Sequence, residues 1–522
     1  MVARLMDQAG QIADELLRDL GYAEWRAGQR EAVVAALEGR DSLIVMPTGG
    51  GKSLCYQLPG LASEELTIVV SPLIALMRDQ WGKLNAGGHR VAMITSGMDD
   101  WEVSEALAMV REDARIVYCA PERFASNVFL EALACREIDL VAVDEAHCVS
   151  EWGHDFRPDY LRLPQVVERL GRPTVMACTA TATRPVAAEI ASRFGMRDPL
   201  QVRSGFDRPN LSFDVVALEG KGCTARRQAL LEAGLRDPAN LPAIVYCGTR
   251  RQTEEVAEEL READVAAVAY HAGLEPEHRT AIQERFMATG SGVICATNAF
   301  GMGVDKPDVR SVWHVTIPTS VEAYYQEAGR AGRDGLPSRA VMLALKADLG
   351  RLVRFNEQRA GDDLAVARER GWRAYHAIKA FIYGTECRRR ALLDHFSDRT
   401  AGAPLERCCD VCDLLEWLPD PETIAVRKAG KPKAAPAPAP NLSPADAPLF
   451  EALKTWRLSA AAGKPAYTVA ANKTLAAIAA ARPGSEEALL AISGVGPAFI
   501  EKYAGEVLAL VADHAAPVAD AA

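Results

Sequence analysis

Ten short apolar runs between residues 42 and 345 constrain the fold of this chain more than any other feature. Each run is hydrophobic throughout rather than at alternate positions, and helical stretches separate the runs. Strands with this pattern are buried on both faces, as in parallel sheets that helices cover. A break near residues 205–240 divides the runs into two sets, which predicts an α/β fold with two parallel-sheet lobes. The runs are SLIVM, LTIVVSP, RIVYCAP, LVAVDEA and TVMACTA, then AIVYCGT, VAAVAYHAG, GVICATNAF, SVWHVTIP and AVMLAL.

A Pro- and Ala-rich stretch, KAGKPKAAPAPAP at residues 428–440, interrupts the later part of the chain. Alternating Ala and Pro cannot hold a helix or a central strand, so we expect an extended, semi-rigid linker. The predicted domains are a first lobe at 1–205, a second lobe at 206–345, a helical cysteine-bearing module at 346–415, the linker at 416–445, a small all-α module at 446–515 and a tail at 516–522.

The charge of the chain limits how it can meet nucleic acid. The net charge is −11 over 522 residues, so any nucleic-acid path must be a local basic groove. No apolar run is long enough to span a bilayer, and the first residues lack the layout of a signal peptide. The expected location is the cytoplasm, with no membrane partner.

The segment MPTGGGKS at residues 46–53 follows the first apolar run. Glycines let backbone amides approach phosphate, Lys52 would place its charge on the β and γ phosphates, and Ser53 would offer a hydroxyl to Mg²⁺. Met46 stands where the strict phosphate-loop pattern has a glycine, and the PTGGGKS variant is typical of helicase-like ATPases. The alternative is a plain glycine-rich turn before a helix. The residues assigned to ATP binding are Thr48, Gly49, Gly50, Gly51, Lys52 and Ser53.

Two adjacent acids end the apolar run LVAVDEAH at residues 140–147. Asp144 would hold Mg²⁺, directly or through water, and Glu145 would polarise the attacking water. Such acids can also simply mark the end of a strand. Together with Lys52, the pair predicts a site that hydrolyses Mg-ATP.

Nine segments, in order along the chain, resemble those of the RecQ family of superfamily 2 DNA helicases. The resemblance covers about residues 15–412, with a weaker match at 446–514. It implies two RecA-like lobes, a zinc-binding module, a terminal HRDC-like module, and ATP, Mg²⁺ and Zn²⁺ as cofactors. The segments are WRAGQ (25–29), MPTGGGKSLCYQLP (46–59), SPLIALMRDQ (71–80), YCAPERF (118–124), DEAHCVSEWGHDFRP (144–158), CTATAT (178–183), YHAGL (270–274), ATNAFGMGVDKPDVR (296–310) and QEAGRAGRDG (326–335).

The resemblance implies a binding site for the adenine ring near the start of the chain. In GYAEWRAGQ, Gln29 resembles the residue that reads adenine, because a side-chain amide suits the donor and acceptor edge of the base. Tyr22 and Arg26 would sandwich the ring by stacking and cation–π contact. By residue chemistry alone, this segment indicates an ordinary helix start.

Further roles at the ATP site follow from the same resemblance. Arg330 and Arg333, three residues apart and near one helix face, would stabilise charge on the transferring phosphoryl group and sense closure of the lobes. Asp305 would help bind nucleotide across the cleft. Thr179 and Thr181 resemble the motif that links hydrolysis to DNA movement. The alternatives are solvated arginines and plain strand-end threonines.

The segment after the acid pair is rich in aromatic residues. Trp152, His154, Phe156 and Arg157 match the aromatic loop of the family, which implies contact with DNA. Stacking of a base on an aromatic ring contributes about 1–3 kcal/mol and ignores sequence, which suits a motor on any single strand. Without the resemblance, core packing would be the alternative. We expect DNA at this loop to move the acid pair and switch hydrolysis on.

A cluster of cysteines closes the helical module. In a reducing compartment it indicates a metal site before a disulfide, and four thiolates suit tetrahedral zinc, which the resemblance also implies. The usual family spacing puts Glu406 at a ligand position, so Glu406 is the alternative to Cys408. Nearby Arg388, Arg389 and Arg390 would meet DNA phosphates or form a solvated face. The predicted zinc ligands are Cys387, Cys408, Cys409 and Cys412.

Family members commonly carry a winged-helix domain between the zinc module and the terminal module. Residues 413–445 are too few and too rich in Pro and Ala to form one, so we expect the strand-separating hairpin to be absent. The terminal module includes ISGVGP at 492–497, a phosphate-binding type of hairpin, but residues 446–522 carry six basic and eight acidic residues. We expect a weak DNA tether or a protein-docking module.

These observations predict an ATP-dependent DNA helicase that acts in recombination and repair. Translocation from 3′ to 5′ is implied by the resemblance alone. The expected partners are single-stranded and forked DNA, together with single-strand-binding or repair proteins. The alternatives are an RNA helicase, a DNA translocase with little unwinding, and a strand-annealing scaffold. The intact Lys52, Glu145 and Arg330 argue against the scaffold, because a scaffold needs no catalytic residues.

Overall fold

A computed structural model of the chain describes residues 2–47, 49–150, 157–298, 300, 306–358, 365–400, 402–424, 446–460, 469–470, 472–492 and 495–514. The chain forms two compact units, Met1–Val426 and Arg427–Ala522. Within the ranges given above, every helix is too short or too polar to cross a bilayer.

The first lobe is built on a seven-stranded sheet whose neighbouring strands all pair in parallel. Its strands are β1 Ser42–Val45, β2 Leu66–Val70, β3 Val91–Ile94, β4 Ile116–Cys119, β5 Ile138–Val143, β6 Thr174–Thr179 and β7 Leu200–Arg203. Their order across the sheet is β3-β4-β2-β5-β6-β1-β7. The strand ends that carry the glycine loop and the acid pair therefore lie at the same edge of one sheet.

The second lobe contains a six-stranded sheet, also parallel throughout. Its strands are β8 Leu211–Leu218, β9 Ala243–Tyr246, β10 Ala267–Tyr270, β11 Val293–Ala296, β12 Ser311–His314 and β13 Ser338–Leu345. Their order is β10-β11-β9-β12-β13-β8. The prediction of two parallel-sheet lobes is confirmed, and all ten apolar runs contain a strand.

Three strands, β3, β7 and β8, were not among the predicted runs. Strand β8 lies within the break at 205–240, and its polar residues Ser212 and Asp214 interrupt the apolar pattern. Asp214 is fully buried, and Arg407 forms an ion pair with it at 2.9 Å. Burial raises the pKa of Asp214, and Arg407 offsets part of that rise. Arg407, far along the chain, therefore compensates the buried carboxylate of this strand.

Helices connect most of the parallel strands, as crossovers in such sheets require. The helices up to the end of the second sheet are α1 Val2–Asp19, α2 Gln29–Leu37, α3 Lys52–Ala62, α4 Ile74–Ala86, α5 Asp100–Glu112, α6 Asn127–Leu133, α7 Leu163–Arg169, α8 Arg184–Arg193, α9 Cys223–Leu235, α10 Arg250–Glu262, α11 Pro276–Ala288 and α12 Val321–Ala328. The cysteine-bearing module adds α13 Lys346–Gln358, α14 Ala365–Tyr383 and α15 Arg388–His395.

The first residues of the predicted linker pack against the second lobe. Leu418 is buried, and the Trp417 ring lies 5.8 Å from the buried ring of Trp313. The Arg339 guanidinium covers Trp417 at 4.3 Å from the ring centroid. Composition alone assigned residues 416–424 to the linker, whereas these long-range contacts join them to the lobe. The remaining linker residues, 425–445, and the tail at 516–522 lie outside the described residues.

The second unit is a small helical module, as predicted. Its helices are α16 Ala447–Ala460, α17 Asn472–Ala481, α18 Glu486–Leu490 and α19 Pro497–Asp513. Buried apolar side chains from these helices form its core, among them Leu453, Ile478 and Val507. Two residues of the predicted phosphate-binding hairpin, 493 and 494, lie outside the described residues.

Candidate active site

A cleft of about 730 Å³ lies between the two lobes of the first unit. Residues from both lobes line it, and most of those predicted for ATP binding are among them. The predicted residues in its lining are Tyr22, Arg26, Gln29, Gly49, Gly51, Lys52, Ser53, Asp144, Glu145, Arg330 and Arg333. Thr48 and Asp305 lie outside the described residues.

The glycine loop between β1 and α3 holds Lys52 at the first position of the helix. Its Nζ donates hydrogen bonds to the carbonyl oxygens of Met46, at 3.0 Å, and Pro47, at 3.3 Å. Gly51 has φ +81°, and a Cβ there would lie 2.2 Å from Nε2 of Gln29. A side chain here would be strained by the left-handed conformation and would displace the Gln29 amide, so glycine suits a loop whose amides could meet an anion at the helix N-terminus.

The acid pair lies where β5 ends, beside the glycine loop. Ser71 Oγ donates to Asp144 Oδ2 at 3.4 Å, and the Asp144 side chain is almost fully buried. Burial, together with the neighbouring Glu145 carboxylate, raises the pKa of Asp144 to about 7 although the charge of Lys52 acts to lower it. Glu145 has φ +47°, in the left-handed region, where strain in a residue other than glycine commonly marks a functional site.

His147 joins the acid pair to the end of β6. Its Nδ1 lies 3.3 Å from Oε2 of Glu145 and 3.0 Å from Oγ1 of Thr179. The backbone N–H of Thr181 donates to the same Thr179 hydroxyl at 3.3 Å. His147 is a site residue that was not predicted, although its place two residues after Glu145 was a usable signal. The His147 side chain therefore bridges Thr179 and Glu145.

The predicted adenine readers are tied to the glycine loop. Gln29 is buried, its Oε1 accepts from the backbone N–H of Arg26 at 2.8 Å, and its Nε2 donates to the Gly51 carbonyl oxygen at 3.0 Å. Arg26 Nη1 donates to the carbonyl oxygen of Gly49. Tyr22 is half exposed and lines the cleft. These contacts link the residues predicted to bind adenine to the glycine loop predicted to bind phosphate.

The second lobe contributes two arginines, but not from a helix face. Helix α12 ends at Ala328, and Arg330 and Arg333 lie in the turn that follows, which corrects the sequence prediction. Gly332 has φ +56°, and a Cβ there would lie 2.4 Å from Nδ2 of Asn210. Helix α12 is capped at Gly329, and the chain then passes through Gly332 in this left-handed conformation. Arg333 reaches the first lobe, because a Cβ built on Gly49 would lie 3.6 Å from its Cγ.

The four predicted cysteine ligands come together near the start of α15, with all sulfur atoms within 4.8 Å of one another. Tetrahedral Zn–S bonds of about 2.3 Å place sulfurs roughly 3.8 Å apart, so the cluster fits zinc. Cys387 and Cys408 Sγ atoms are 3.5 Å apart. Glu406 instead lines a separate cleft beside Arg407, which favours Cys408 over Glu406 as the ligand.

Two of the three arginines beside this cluster, Arg388 and Arg389, fit neither predicted role. Arg388 and Arg389 are buried, and they pair with Asp410 at 3.0 Å and Asp207 at 2.6 Å. A buried and neutralised guanidinium is not available to DNA phosphates and is not a solvated group. Arg390 is half exposed and pairs with Asp394 along its own helix.

The aromatic residues Trp152, His154 and Phe156 lie outside the described residues. Both ends of their segment are anchored near the acid pair. The Arg157 backbone N–H donates to the Cys148 carbonyl oxygen at 3.1 Å. The hydroxyl of Tyr160, a fully buried residue, donates to the Asp144 carbonyl oxygen at 3.0 Å. No local sequence pattern pointed to Tyr160.

Comparison with known proteins matches both lobes, the cysteine-bearing module and the terminal module to known families. Four family models match in order: DEAD/DEAH box helicase at residues 26–190, helicase conserved C-terminal domain at 226–335, RecQ zinc-binding at 346–413 and HRDC domain at 446–511. Among solved structures, the DUF1998 helicase MrfA bound to DNA and AMPPNP shares the fold, with a TM-score of 0.54 and 21% identity over 66% of this chain and 52% of that chain.

Two relatives from Bacillus subtilis (strain 168) are similar to this chain. ATP-dependent DNA helicase RecQ is 39% identical over 392 residues, which cover 73% of this chain and 64% of that protein. Probable ATP-dependent DNA helicase RecS is 40% identical over 341 residues, which cover 65% of this chain and 67% of that protein. The chain thus spans slightly less than two thirds of the length of that RecQ protein. With both lobes, the zinc-binding module and the HRDC module matched in order, this chain belongs to the RecQ family of superfamily 2 helicases.

Proposed function

We propose that this chain is an ATP-dependent DNA helicase that couples hydrolysis of Mg-ATP to movement along one DNA strand. One observation carries the proposal: Lys52 and the acid pair of the first lobe share a cleft with Arg330 and Arg333 of the second. Relatives in the family are named ATP-dependent DNA helicases, which supports this nucleotide and this substrate class.

The residues of the cleft divide the chemistry between them. Lys52 and the amides of the glycine loop would bind the β and γ phosphates, and Glu145 would orient the attacking water. The hydroxyl of Ser53 and the carboxylate of Asp144 are oxygen donors of the kind that Mg²⁺ prefers, and a bound Mg²⁺ would neutralise phosphate charge. Arg330 and Arg333 would stabilise the transition state from the opposite lobe, so that catalysis needs the lobes closed.

Coupling to DNA would pass through the aromatic segment. Trp152, His154 and Phe156, with Arg157, are proposed to stack on bases of the bound strand. The Tyr160 hydroxyl, just beyond the segment, donates to the Asp144 carbonyl oxygen. A change in the segment when DNA binds would therefore reach the acid pair through the buried Tyr160 side chain and the backbone hydrogen bond between Arg157 and Cys148.

Finer parts of the proposal rest on the family alone. Translocation from 3′ to 5′, a role in recombination and repair, single-stranded and forked DNA as substrates, and a cytoplasmic location belong here. Single-strand-binding or repair proteins are the proposed protein partners. The cysteine cluster is proposed to hold a structural Zn²⁺.

ATP hydrolysis measured with and without nucleic acid tests the proposal. We expect single-stranded DNA to stimulate hydrolysis more than an RNA of the same sequence. Lys52→Ala should abolish hydrolysis while leaving DNA binding, and Trp152→Ala should keep the basal rate but lose stimulation by DNA. Equal stimulation by RNA would favour an RNA helicase. Hydrolysis by Lys52→Ala at the wild-type rate would contradict an ATP-driven motor.

A DNA translocase with little unwinding is the second candidate. Residues 416–424 pack on the second lobe, which leaves only residues 425–445 before the HRDC module and no room for a winged-helix domain. Unwinding of forks and 3′ overhangs, compared with displacement of streptavidin from single-stranded DNA, separates the two functions. Streptavidin displacement without strand separation would favour the translocase.

A further inference from the structure

The turn that carries Arg330 and Arg333 is not held by a helix of its own, because α12 ends at Ala328. The Arg330 backbone N–H donates to the carbonyl oxygen of Glu327 at 3.2 Å, which continues the chain from the helix end. The carbonyl oxygens at the end of a helix have no partner within that helix, so those of the turn need donors from elsewhere. Side chains of the segment that connects the two lobes provide these donors.

Arg208 lies on this connecting segment, between β7 and β8, and its guanidinium reaches the turn. Its Nη1 donates to the carbonyl oxygen of Gly329 at 3.2 Å. Its Nη2 donates to the carbonyl oxygens of Ala331 and Gly332, both at 2.9 Å. A guanidinium presents its N–H donors in a rigid fork, so one side chain holds three carbonyl oxygens of the turn at once.

These hydrogen bonds fix the peptide groups that precede both arginines. The Gly329 carbonyl and the Arg330 N–H belong to one peptide group, and the Gly332 carbonyl and the Arg333 N–H belong to another. Because a peptide group is planar, a fixed carbonyl also fixes the direction in which the chain enters the next residue. Arg208 therefore constrains the backbone from which each of the two arginine side chains extends.

Asn210, two residues after Arg208, also holds this turn. Its Nδ2 donates to the carbonyl oxygens of Gly332 at 2.8 Å and Leu336 at 2.9 Å. The Asn210 residue is buried, and its own carbonyl oxygen accepts from the Ser338 N–H at 2.9 Å, at the start of β13. The turn is thus fastened at two points to the segment that connects the lobes.

The connecting segment is itself anchored on both sides of its chain. The Phe206 carbonyl oxygen accepts from the hydroxyl of Tyr325, on α12, at 2.7 Å. Asp207 pairs with Arg389 of the cysteine-bearing module at 2.6 Å. Arg208 does not line the cleft between the lobes, so it can influence chemistry there only through the turn.

We propose that Arg208 is a positioning residue for Arg330 and Arg333, and that it holds their turn in one orientation relative to the segment connecting the lobes. This inference rests on the proposed function, because it assumes that the two arginines act on the transferring phosphate. Because Arg208 belongs to the connection itself, the turn keeps its place relative to that connection while the lobes open and close.

A purely structural role for Arg208 predicts a different result from the same variant. Loss of its hydrogen bonds would then lower stability and leave the rate of hydrolysis per folded molecule unchanged. Arg339 provides a matched control in the second lobe. Like Arg208 it is partly buried, its Nη1 donates to Oδ1 of Asn240 at 2.6 Å, and it does not line the cleft.

The experiment places Arg208→Gln and Arg339→Gln in the full chain, and adds Arg208→Gln to an Arg330→Ala/Arg333→Ala variant. Steady-state ATP hydrolysis is measured with saturating single-stranded DNA, and urea unfolding is followed in parallel. Single-turnover hydrolysis of radiolabelled ATP, with the protein in excess, measures the slow variants. Arg208→Lys, which keeps the charge but loses the fork, is a milder second variant.

We expect Arg208→Gln to lower kcat by about 10- to 100-fold with KM for ATP nearly unchanged, because a misplacement of about 1 Å weakens an interaction made in the transition state. Arg208→Lys should show the same split with a smaller loss of kcat. Arg339→Gln should lower stability and leave kcat unchanged. Without Arg330 and Arg333, Arg208→Gln should cost less than about twofold, because Arg208 acts through them.

Two results would overturn the positioning role. One is an unchanged kcat in both Arg208 variants. The other is an equal loss of kcat with and without the two arginines of the turn, which would indicate a general effect on the fold. Failure of the proposed function looks different: wild type and Lys52→Ala would then hydrolyse ATP at the same rate, and the positioning role would fall with the function.

Discussion

Arg389 and Asp207 form a two-pronged ion pair that ties the zinc-binding module to the segment joining the two lobes. Arg389 Nε and Nη2 donate to Asp207 Oδ1 and Oδ2, both at 2.6 Å, and the side chains are only 6% and 13% exposed. Asp207 lies between β7 of one sheet and β8 of the other. Its neighbour Phe206 stacks on Phe396 with ring centroids 4.3 Å apart. The zinc-binding module is therefore fixed to the segment between β7 and β8, about which the lobes would open and close.

Asp207→Asn should destabilise the first unit strongly. The amide keeps the shape of the carboxylate but leaves the buried Arg389 charge uncompensated, which costs about 3–5 kcal/mol. Urea unfolding measures the change. Asp394→Asn is the control, because it breaks the exposed pair with Arg390 along α15 and should cost about 0–1 kcal/mol. Equal effects of the two variants would show that the buried pair contributes no more than a surface pair.

Elemental analysis should find one Zn²⁺ per chain. Cys408→Ser should reduce the zinc content well below one and lower the stability, since structural zinc contributes folding free energy. Glu406→Gln should retain the metal, because Glu406 lines a separate cleft. Zinc that survives Cys408→Ser and is lost in Glu406→Gln would make the carboxylate the fourth ligand.

Asp144 should make stability depend on pH when metal and nucleotide are absent. Its pKa of about 7 lies above the usual value near 3.9, so burial favours the protonated form in the folded state. This contribution to stability is complete below about pH 4 and is lost as the pH rises through about 7. Urea unfolding at pH 5 and pH 8 should show wild type losing stability relative to Asp144→Asn. Parallel changes in both proteins would mean that Asp144 titrates normally.

Leu418→Ala should destabilise the second lobe, although composition places this residue in a linker. Its side chain is buried beside α9, where a Cβ built on Gly234 would lie 3.2 Å from Leu418 Cδ2, so the loss should be about 2–5 kcal/mol. Leu414→Ala is the matched control: that side chain is 78% exposed, and its truncation should stay within about 0.5 kcal/mol. Equal free energies of unfolding for the two variants would indicate that residues 416–424 belong to the linker.

Features with a local cause could be predicted. The strands were visible because burial on both faces leaves a continuous apolar run, and the phosphate loop because three adjacent glycines precede Lys52. The four cysteine ligands were visible because their thiols are close in sequence except for Cys387. Arg330 marks the limit of such prediction: the family resemblance pointed to the residue, but only the structure shows that α12 ends at Ala328 and leaves Arg330 in a turn.

The sequence by itself determined the two sets of strands and the candidate residues Lys52, Asp144 and Glu145, because each of these signals lies within a short segment, and the family resemblance added Arg330 and Arg333. Only the tertiary structure decided that Arg388 and Arg389 are buried in ion pairs, that β8 carries a buried Asp214, and that residues 416–424 belong to the second lobe. A charged or aromatic side chain in a polar segment is buried only when a partner far along the chain neutralises its charge or covers its ring. Asp207, Arg407 and Trp313 are such partners. The local composition of a segment does not indicate such partners.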